Sequence, residues 1–318
     1  MRGCSERARI ALRLAGPLAA LLVALTAAAE EVSINAGSGR LRGTLERPAG
    51  AQPAVCALII AGSGPTDRDG NQPGLTNDSL KQLALGLAAR GVCTLRYDKR
   101  GVGASSDAAP VESELRFDDY VADAAAWIAR LKRVGGAERV AVIGHSQGAL
   151  VALLAAKLEK PFAVVSIAGA GRPAAELIRD QLRGLPDEMR RRGEDILGKL
   201  AGGRTAPEIP AELGALFRPS VQPYLISWFR YDPAEEMRTS GVPVLIVQGT
   251  ADLQVPVAEA RILAAENPLA ALSLITDMNH VLKRCPSAED QRAAYTDPAT
   301  PIDARVVATI ADFLLRAP

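Results

Sequence analysis

Histidine is scarce in this sequence, and neither sign of charge predominates. Only His145 and His280 occur among 318 residues, so chemistry that needs an imidazole has two candidates. The 37 basic residues are balanced by 36 acidic ones, which gives no indication of a nucleic-acid-binding surface. Beyond the N-terminal segment, no apolar run is long enough to span a bilayer. These absences disfavour nucleic-acid-binding and membrane-embedded classes of protein.

The first 29 residues have the pattern of a secretory signal peptide. Four arginines lie before residue 14, an apolar stretch covers residues 14–26, and three alanines follow it. We predict cleavage after Ala29 and a mature protein that is periplasmic or secreted. The alternative is an uncleaved membrane anchor.

Cysteine is also sparse, with four residues in the chain. Cys4 leaves with the signal peptide, and a chain of this size needs no disulfide framework. We expect Cys56 and Cys93 to pack in strands as small apolar residues. Cys285 falls in a loop near His280, and we do not assign it a catalytic role.

Residues 144–148 read GHSQG and place Ser146 directly after an apolar run. Residues 139–143 predict a buried strand and residues 149–157 a buried helix. Ser146 therefore falls on a tight strand-to-helix turn, where side chains in place of the two glycines would collide with their neighbours. This is the context expected of a G-x-S-x-G nucleophile elbow.

A serine hydroxyl needs a base to become an effective nucleophile, and histidine is the usual one. His145 is next to the serine within the elbow, and we expect its side chain to point away from the hydroxyl. His280 follows a short apolar strand at residues 271–275 and is the remaining candidate base. The alternative is a loop histidine without a special task.

The third member of a triad should be a carboxylate after an earlier strand. Residues 242–249 predict a strand that ends in glycine, and Asp252 lies just beyond it, where open α/β sheets build their sites. A turn or helix cap is the other interpretation of Asp252, and Asp277 is the rival carboxylate. The order Ser146, Asp252, His280 is the one found in α/β-hydrolases.

Acyl transfer also needs donors for the oxyanion of the tetrahedral intermediate. One candidate is the backbone N–H of Gln147, at the first turn of the elbow helix. The other is the backbone N–H of Ser63, in the glycine-rich loop after the strand at residues 55–61, with Gly64 as the alternative. A plain turn is the competing interpretation of this loop.

Three further segments resemble bacterial carboxylesterases of the α/β-hydrolase superfamily that are grouped with the S33-type serine aminopeptidases: residues 61–71 (AGSGPTDRDGN), 96–105 (RYDKRGVGAS) and 222–233 (QPYLISWFRYDP). The resemblance implies an α/β-hydrolase fold and ester hydrolysis without a cofactor or metal. It places Ser146, Asp252 and His280 on the triad positions, and Ser63 and Gln147 on the oxyanion positions. The usual His-Gly before the oxyanion loop is Ala61-Gly62 here, which leaves only the backbone donor.

Alternating strands and helices predict an α/β fold with a mainly parallel central sheet. We expect a first core part at residues 30–168, a helical cap at 169–241 that lacks strands, and a second core part at 242–318. Aromatic residues near the end of the cap, at 224–231, either line the substrate pocket or attach the cap to the core. Charged segments at 66–71 and 98–103 are expected to be structural, not metal-binding or catalytic.

The leading functional hypothesis is a periplasmic or secreted serine hydrolase that cleaves small-molecule carboxylic esters through an acyl-enzyme. An exopeptidase or amidase with the same triad would need a carboxylate for the substrate amine, and Glu235 or Glu236 are candidates that the sequence does not place. A non-catalytic binding protein on a hydrolase scaffold is the third hypothesis. Substrate, acyl-chain preference and oligomeric state are left open.

Overall fold

The protein is organised around one eight-stranded sheet. A computed structural model describes residues 28–37, 39–50, 52–109 and 111–317. The strands are β1 (Ala28–Ala36), β2 (Gly39–Arg47), β3 (Val55–Ile60), β4 (Val92–Tyr97), β5 (Arg139–His145), β6 (Ala163–Ile167), β7 (Val244–Gly249) and β8 (Ala271–Ile275). Their order across the sheet is β1-β2-β4-β3-β5-β6-β7-β8. The β1–β2 and β2–β4 pairs are antiparallel, and all other neighbours are parallel.

Helices cover both faces of this sheet. Within β3, Cys56, Leu58 and Ile60 pack on one face and Val55, Ala57 and Ile59 on the other, as the two-residue period of a strand requires. On the first face lie α2 (Phe117–Val134), α3 (Gln147–Glu159), α8 (Pro233–Arg238) and α9 (Val257–Glu266). On the second lie α1 (Ser79–Ala88) and α11 (Ala304–Arg316). The central strands are buried on both sides, which explains their continuous apolar runs.

Between β6 and β7 the described chain forms helices and no strand. These are α4 (Ala174–Leu182), α5 (Asp187–Ala201), α6 (Gly214–Phe217), α7 (Gln222–Trp228) and α8. The helices α4 to α7 share an apolar cluster of their own, which includes Ile178, Leu197, Phe217 and Leu225. The remaining helix, α10 (Ala288–Thr296), follows β8.

The structure corrects the expectation for two of the cysteines. Cys56 and Cys93 are buried in strands as expected, but they form a disulfide instead of packing as separate apolar side chains. The reason is the strand order: β3 and β4 are neighbours, and their register sets Cys56 directly opposite Cys93. Cys285 is a buried free thiol.

The predicted signal peptide lies almost entirely outside the described residues. Only Ala28 and Ala29 of it are described, at the start of β1. Across the part of the chain that the structure describes, no helix combines the length and the apolar character that crossing a membrane requires.

Candidate active site

Ser146 lies on a strained turn between β5 and α3. Its backbone has φ 56° and ψ −123°, a combination that a residue with a side chain rarely adopts and that stores about 1–3 kcal/mol. A Cβ on Gly144 would lie 2.1 Å from the carbonyl oxygen of Gly148, and one on Gly148 would lie 2.5 Å from that of Ile60. Both glycines are therefore required for the turn, as the sequence predicts.

His280 is held by a buried carboxylate. Its Nδ1 lies 2.8 Å from Oδ2 of Asp252, which follows β7, while His280 follows β8. Oδ1 of Asp252 accepts hydrogen bonds from the backbone N–H groups of Gln254 and Val255, both at 2.9 Å. Burial acts to raise the pKa of Asp252, but the hydrogen bond and charge of His280 and the two N–H groups lower it overall. The carboxylate therefore stays ionised beside the imidazole.

The rival carboxylate has a different role in the structure. Asp277 approaches Arg284, with 3.7 Å between Oδ2 and a guanidinium nitrogen, and its backbone N–H donates to Oγ1 of Thr250. Its carbonyl accepts from the N–H of Cys285 at 2.7 Å. Asp277 thus shapes the loop that carries His280, whereas Asp252 contacts the ring.

The two predicted oxyanion donors flank Ser146. Gln147 is the first residue of α3, so its N–H has no acceptor within the helix. The loop that contains Ser63 passes close to the serine, since a Cβ on Gly62 would lie 3.2 Å from Cβ of Ser146. Ser63 and Ser146 line the same cavities. Both candidate donors therefore belong to segments that adjoin Ser146.

His145, to which the sequence assigns no role, lines the cavity that contains Ser146 and His280. Its Nε2–H donates to the carbonyl oxygen of His280 at 2.8 Å, and the two ring centroids are 4.8 Å apart. Burial, followed by the nearby charge of His280, lowers the pKa of His145 to about 4. His145 is therefore neutral and supports the backbone of the residue that carries the candidate base.

The sequence profile of the alpha/beta hydrolase family matches residues 73–297. This chain belongs to the alpha/beta hydrolase family. Esterase EstD from Thermotoga maritima is 29% identical over 261 residues, which are 80% of this chain and 60% of that protein. The chain therefore spans about three fifths of the length of that relative.

Two solved structures share the fold. Est1E from Butyrivibrio proteoclasticus, in a structure with bound ferulic acid, has a TM-score of 0.63 at 20% identity, covering 90% of this chain and 98% of Est1E. The Pyrococcus furiosus esterase Pf2001 has a TM-score of 0.59 at 18% identity, covering 92% of each chain. At these identities the comparison establishes the fold alone.

In this alpha/beta hydrolase, Ser146 borders two cavities that differ in chemistry. The first, about 210 Å³, also contains His280; amide and hydroxyl side chains line much of it (Thr66, Gln72, Asn77, Ser79, Gln254 and Tyr295). We call it the polar cavity. The second, about 400 Å³, is lined largely by apolar side chains (Ala174, Leu177, Ile178, Trp228, Val255 and Pro256). We call it the apolar cavity.

The structure brings Ser146 and His280 to one cavity without a hydrogen bond between Oγ and the imidazole, a separation common in unliganded enzymes.

The charged segments at 66–71 and 98–103, which the sequence predicts to be structural, contain ion-paired side chains. The Asp98 carboxylate accepts from the N–H of Arg68 at 2.8 Å and from its Nε at 3.1 Å, and Arg100 pairs with Asp123. Within residues 28–317, leaving aside 38, 51 and 110, no group of three or more His, Cys, Asp or Glu side chains is placed to hold a metal ion. Lys99, in the second of these segments, has a contact that the sequence does not predict. Its ammonium donates to carbonyl oxygens of the loop that contains Ser63.

The aromatic residues at 224–231 have mainly a packing role. Phe117 of α2 stacks on Trp228, with centroids 5.8 Å apart, and lies within 6.2 Å of Tyr224 and 5.6 Å of Tyr231. The hydroxyl of Tyr231 donates to Asp118 at 2.6 Å. These contacts attach the inserted helices to the core, and Trp228 also borders the apolar cavity.

Proposed function

We propose that this protein hydrolyses carboxylic esters, with Ser146 as nucleophile, His280 as general base and Asp252 as the carboxylate that orients it. The observation that carries the proposal is the 2.8 Å contact between His280 Nδ1 and Asp252 Oδ2, made by an imidazole that shares a cavity with a serine on a nucleophile elbow. With Nδ1–H donated to the carboxylate, Nε2 is the lone-pair nitrogen that takes the serine proton.

The reaction has two halves. Ser146 Oγ bonds to the ester carbonyl carbon while His280 takes its proton, and the N–H groups of Gln147 and Ser63 stabilise the oxyanion, about 3–4 kcal/mol for a donor of this kind. The bond to the alcohol oxygen then breaks, and His280 returns the proton to the departing alcohol. Water then attacks the acyl-enzyme while His280 takes its proton, and the acid is released when the bond to Ser146 Oγ breaks and His280 returns the proton to it.

An exopeptidase on the same triad has less support. It needs an unpaired carboxylate near the serine to bind a substrate amine. Glu235 pairs with Arg238 and Glu236 with Lys157, and neither residue lines the two cavities beside Ser146. Asp180 does line the apolar cavity, but it is paired with Arg172 at 2.9 Å. Ester hydrolysis is therefore better supported than exopeptidase activity.

We also propose that residues 169–241 act as a cap over the site. Support comes from the apolar cavity, whose wall combines α4 side chains, Trp228 and the elbow residues Ser146 and Gln147. A cover of this kind excludes water and shapes the substrate pocket.

Export to the periplasm or beyond is part of the proposal. The N-terminal pattern of basic, apolar and small residues supports it. The Cys56–Cys93 disulfide is a second, independent support, because such bonds form and persist mainly in oxidising compartments. Fusing residues 1–29 and, separately, the full chain to a reporter that is active only outside the cytoplasm tests this. Activity with both fusions supports export, and silence of both contradicts it.

The test of the enzymatic proposal is an assay of residues 30–318 on p-nitrophenyl esters from acetate to dodecanoate, beside amino-acid p-nitroanilides. We expect ester turnover that disappears in Ser146→Ala while the circular dichroism spectrum is unchanged. Anilide turnover exceeding ester turnover would favour the exopeptidase. If the protein turns over none of these substrates and Ser146 does not react with a fluorophosphonate, the non-catalytic binding protein is favoured.

A further inference from the structure

The two cavities that Ser146 borders assign directions to the two halves of a substrate. In ester cleavage the departing alcohol must receive its proton from His280 Nε2, so its oxygen lies within hydrogen-bond reach of that ring. His280 lines the polar cavity and not the apolar one. The alcohol half therefore occupies the polar cavity.

The acyl half takes the remaining direction. Its carbonyl oxygen faces the N–H groups of Ser63 and Gln147, and Gln147 lines the apolar cavity but not the polar one. The acyl chain beyond the carbonyl carbon thus enters the apolar cavity, about 400 Å³ in volume, between Leu177, Trp228 and Val255. Such a volume lies within the range of small-molecule sites.

Charge in the apolar cavity is compensated internally. Arg172 lines it, but its guanidinium is paired with Asp180 at 2.9 Å and with the buried Glu259 at 2.6 Å. An ionised acyl group would find no unpaired cation there, so the acyl group should be uncharged.

From this division, and resting on the proposed ester hydrolysis, we propose that the substrates are esters of a short polyhydroxylated alcohol with an uncharged apolar acyl group. The hydroxyls of the alcohol would exchange hydrogen bonds with the amide and hydroxyl groups of the polar cavity, such as Gln254 and Tyr295. Gln254 Nε2 donates to the Tyr295 hydroxyl at 2.7 Å, so this pair offers a ligand the Tyr295 O–H as donor and the Gln254 amide oxygen as acceptor. An alkyl alcohol of equal length could bond to neither, and such a loss is where strong discrimination originates.

A matched pair of substrates tests this in a pH-stat: glyceryl monohexanoate against propyl hexanoate, which share the acyl group and the three-carbon alcohol chain. We expect kcat/KM for the glyceryl ester to be at least about tenfold higher, the effect of roughly one hydrogen bond. Tyr295→Phe should reduce this ratio. Leu177→Trp should lower turnover of glyceryl monohexanoate relative to glyceryl monoacetate, whereas Leu269→Trp, at a position 94% exposed, should change neither ratio.

Turnover of p-nitrophenyl acetate separates the two proposals. If the wild-type protein cleaves it and Ser146→Ala does not, the enzymatic proposal stands; equal or better turnover of propyl hexanoate then overturns the substrate class alone. If p-nitrophenyl acetate is not cleaved, the ester hydrolysis itself fails.

A second inference concerns Lys99, which contacts the oxyanion loop from inside the protein. The residue follows β4, is 3% exposed, and its Nζ donates to the carbonyl oxygens of Gly62 at 2.5 Å and Gly64 at 2.7 Å. Its ammonium lies 5.5 Å from the ring centroid of Tyr120 and forms no ion pair with any carboxylate of the described chain. Burial lowers the pKa of Lys99 to about 7. Burying a cation without a carboxylate is costly, which points to a role beyond packing.

The geometry of the peptide bond connects Lys99 to Ser63. The carbonyl of Gly62 and the N–H of Ser63 belong to one planar trans peptide and point in opposite directions. When Lys99 fixes the Gly62 oxygen toward the interior, the Ser63 N–H is directed away from Lys99. Ser63 and Ser146 line a cavity whose lining does not include Lys99. The next peptide is fixed as well, because the Ser63 carbonyl accepts from Oγ1 of Thr66 at 2.6 Å.

We infer that Lys99 is a positioning residue that aims the Ser63 N–H at the oxyanion. Its contribution should appear in the transition state and not in substrate binding, because the ground-state carbonyl carries little charge.

Lys99→Met removes the donor while keeping the length and apolar stem of the side chain. We expect kcat on p-nitrophenyl acetate to fall about 10- to 100-fold with KM within about twofold, since the loss of a complete oxyanion donor costs about 10²–10³. The affinity for a trifluoromethyl ketone, which forms an oxyanion on the serine, should fall in proportion to kcat/KM. Lys99→Gln, which retains a donor, should recover part of the loss and serves if the Met variant does not fold.

The control is Lys132→Met, an exposed lysine on α2 that also donates to a backbone carbonyl, that of Glu159. It should leave kcat, KM and ketone affinity unchanged. A Lys99→Met variant, or Lys99→Gln in its place, that lowers only the melting temperature, or raises KM at constant kcat, would show a structural role and overturn the inference.

Discussion

Acidification should destabilise this protein measurably through His145 alone. Its pKa in the folded state is about 4, lowered by burial, whereas an unfolded chain has the ordinary value of 6.5. Because the folded pKa is the lower one, the unfolded state binds more protons as the pH falls. The stabilisation is therefore complete above pH 6.5 and is lost between 6.5 and 4.

The magnitude follows from the same two values. Between pH 7 and pH 5 the unfolded histidine becomes almost fully protonated and the folded one hardly at all, which corresponds to about 2 kcal/mol of unfolding free energy. Urea unfolding followed by tryptophan fluorescence at both pH values measures the total loss. Other titrating groups contribute to that total, so a matched variant is needed.

His145→Gln provides the match, since its amide can still donate to the carbonyl of His280 but does not titrate. We expect the wild-type protein to lose about 2 kcal/mol more than the variant between pH 7 and pH 5. Equal losses would refute the reasoning, because they would mean that His145 is protonated as easily in the folded state as in the unfolded chain.

Three further predictions follow from individual contacts. Asp252→Asn should fold normally, and its kcat in ester assays should fall about 10³- to 10⁴-fold, as it does when a triad carboxylate is removed elsewhere. The kcat of Asp277→Asn should stay within a few-fold of wild type, and the reverse pattern would transfer the role to Asp277. Gly148→Ala should lower both activity and melting temperature, because its Cβ would meet the Ile60 carbonyl oxygen at 2.5 Å, whereas Gly198→Ala in α5, with nothing within 4 Å, should raise stability by about 0.5–1 kcal/mol. Replacing Cys56 and Cys93 together by alanine should lower the unfolding free energy by about 4 kcal/mol for a bridge spanning 37 residues and make stability insensitive to reductant, with Cys285→Ala as the control that stays sensitive.

The parts of the fold that the sequence predicts well are those decided by local pattern. The strand at 271–275 is found with the same bounds, and the helix predicted at 149–157 is observed at 147–159. The sequence does not delimit α7 and α8 within the predicted helical cap, and it does not predict α10. The first two are short and begin next to a proline, and α10 has one buried side chain, Ala294, in its described part, so none of the three has a long apolar period.

Features that depend on strand order could not be predicted. The disulfide requires β4 to lie beside β3 in a register that sets Cys56 opposite Cys93, and spacing along the chain contains no such information. Lys99 occupies a position between the more conspicuous Asp98 and Arg100, and its partners are two carbonyl oxygens about 35 residues earlier in the chain. Backbone acceptors leave no signature in side-chain identity. The pairing of Asp252 with His280, in contrast, could be predicted from the sequence, because the chain has few histidines and both residues follow strands.

The most direct test of the central proposal is to trap the acyl-enzyme. Residues 30–318 would be reacted with p-nitrophenyl acetate, quenched in acid, digested and examined by mass spectrometry, with Ser146→Ala beside them. We expect one acetyl group, on Ser146, in the peptide that spans the elbow, and none in the variant. Acetylation of another residue, with Ser146 unmodified and turnover intact, would contradict it.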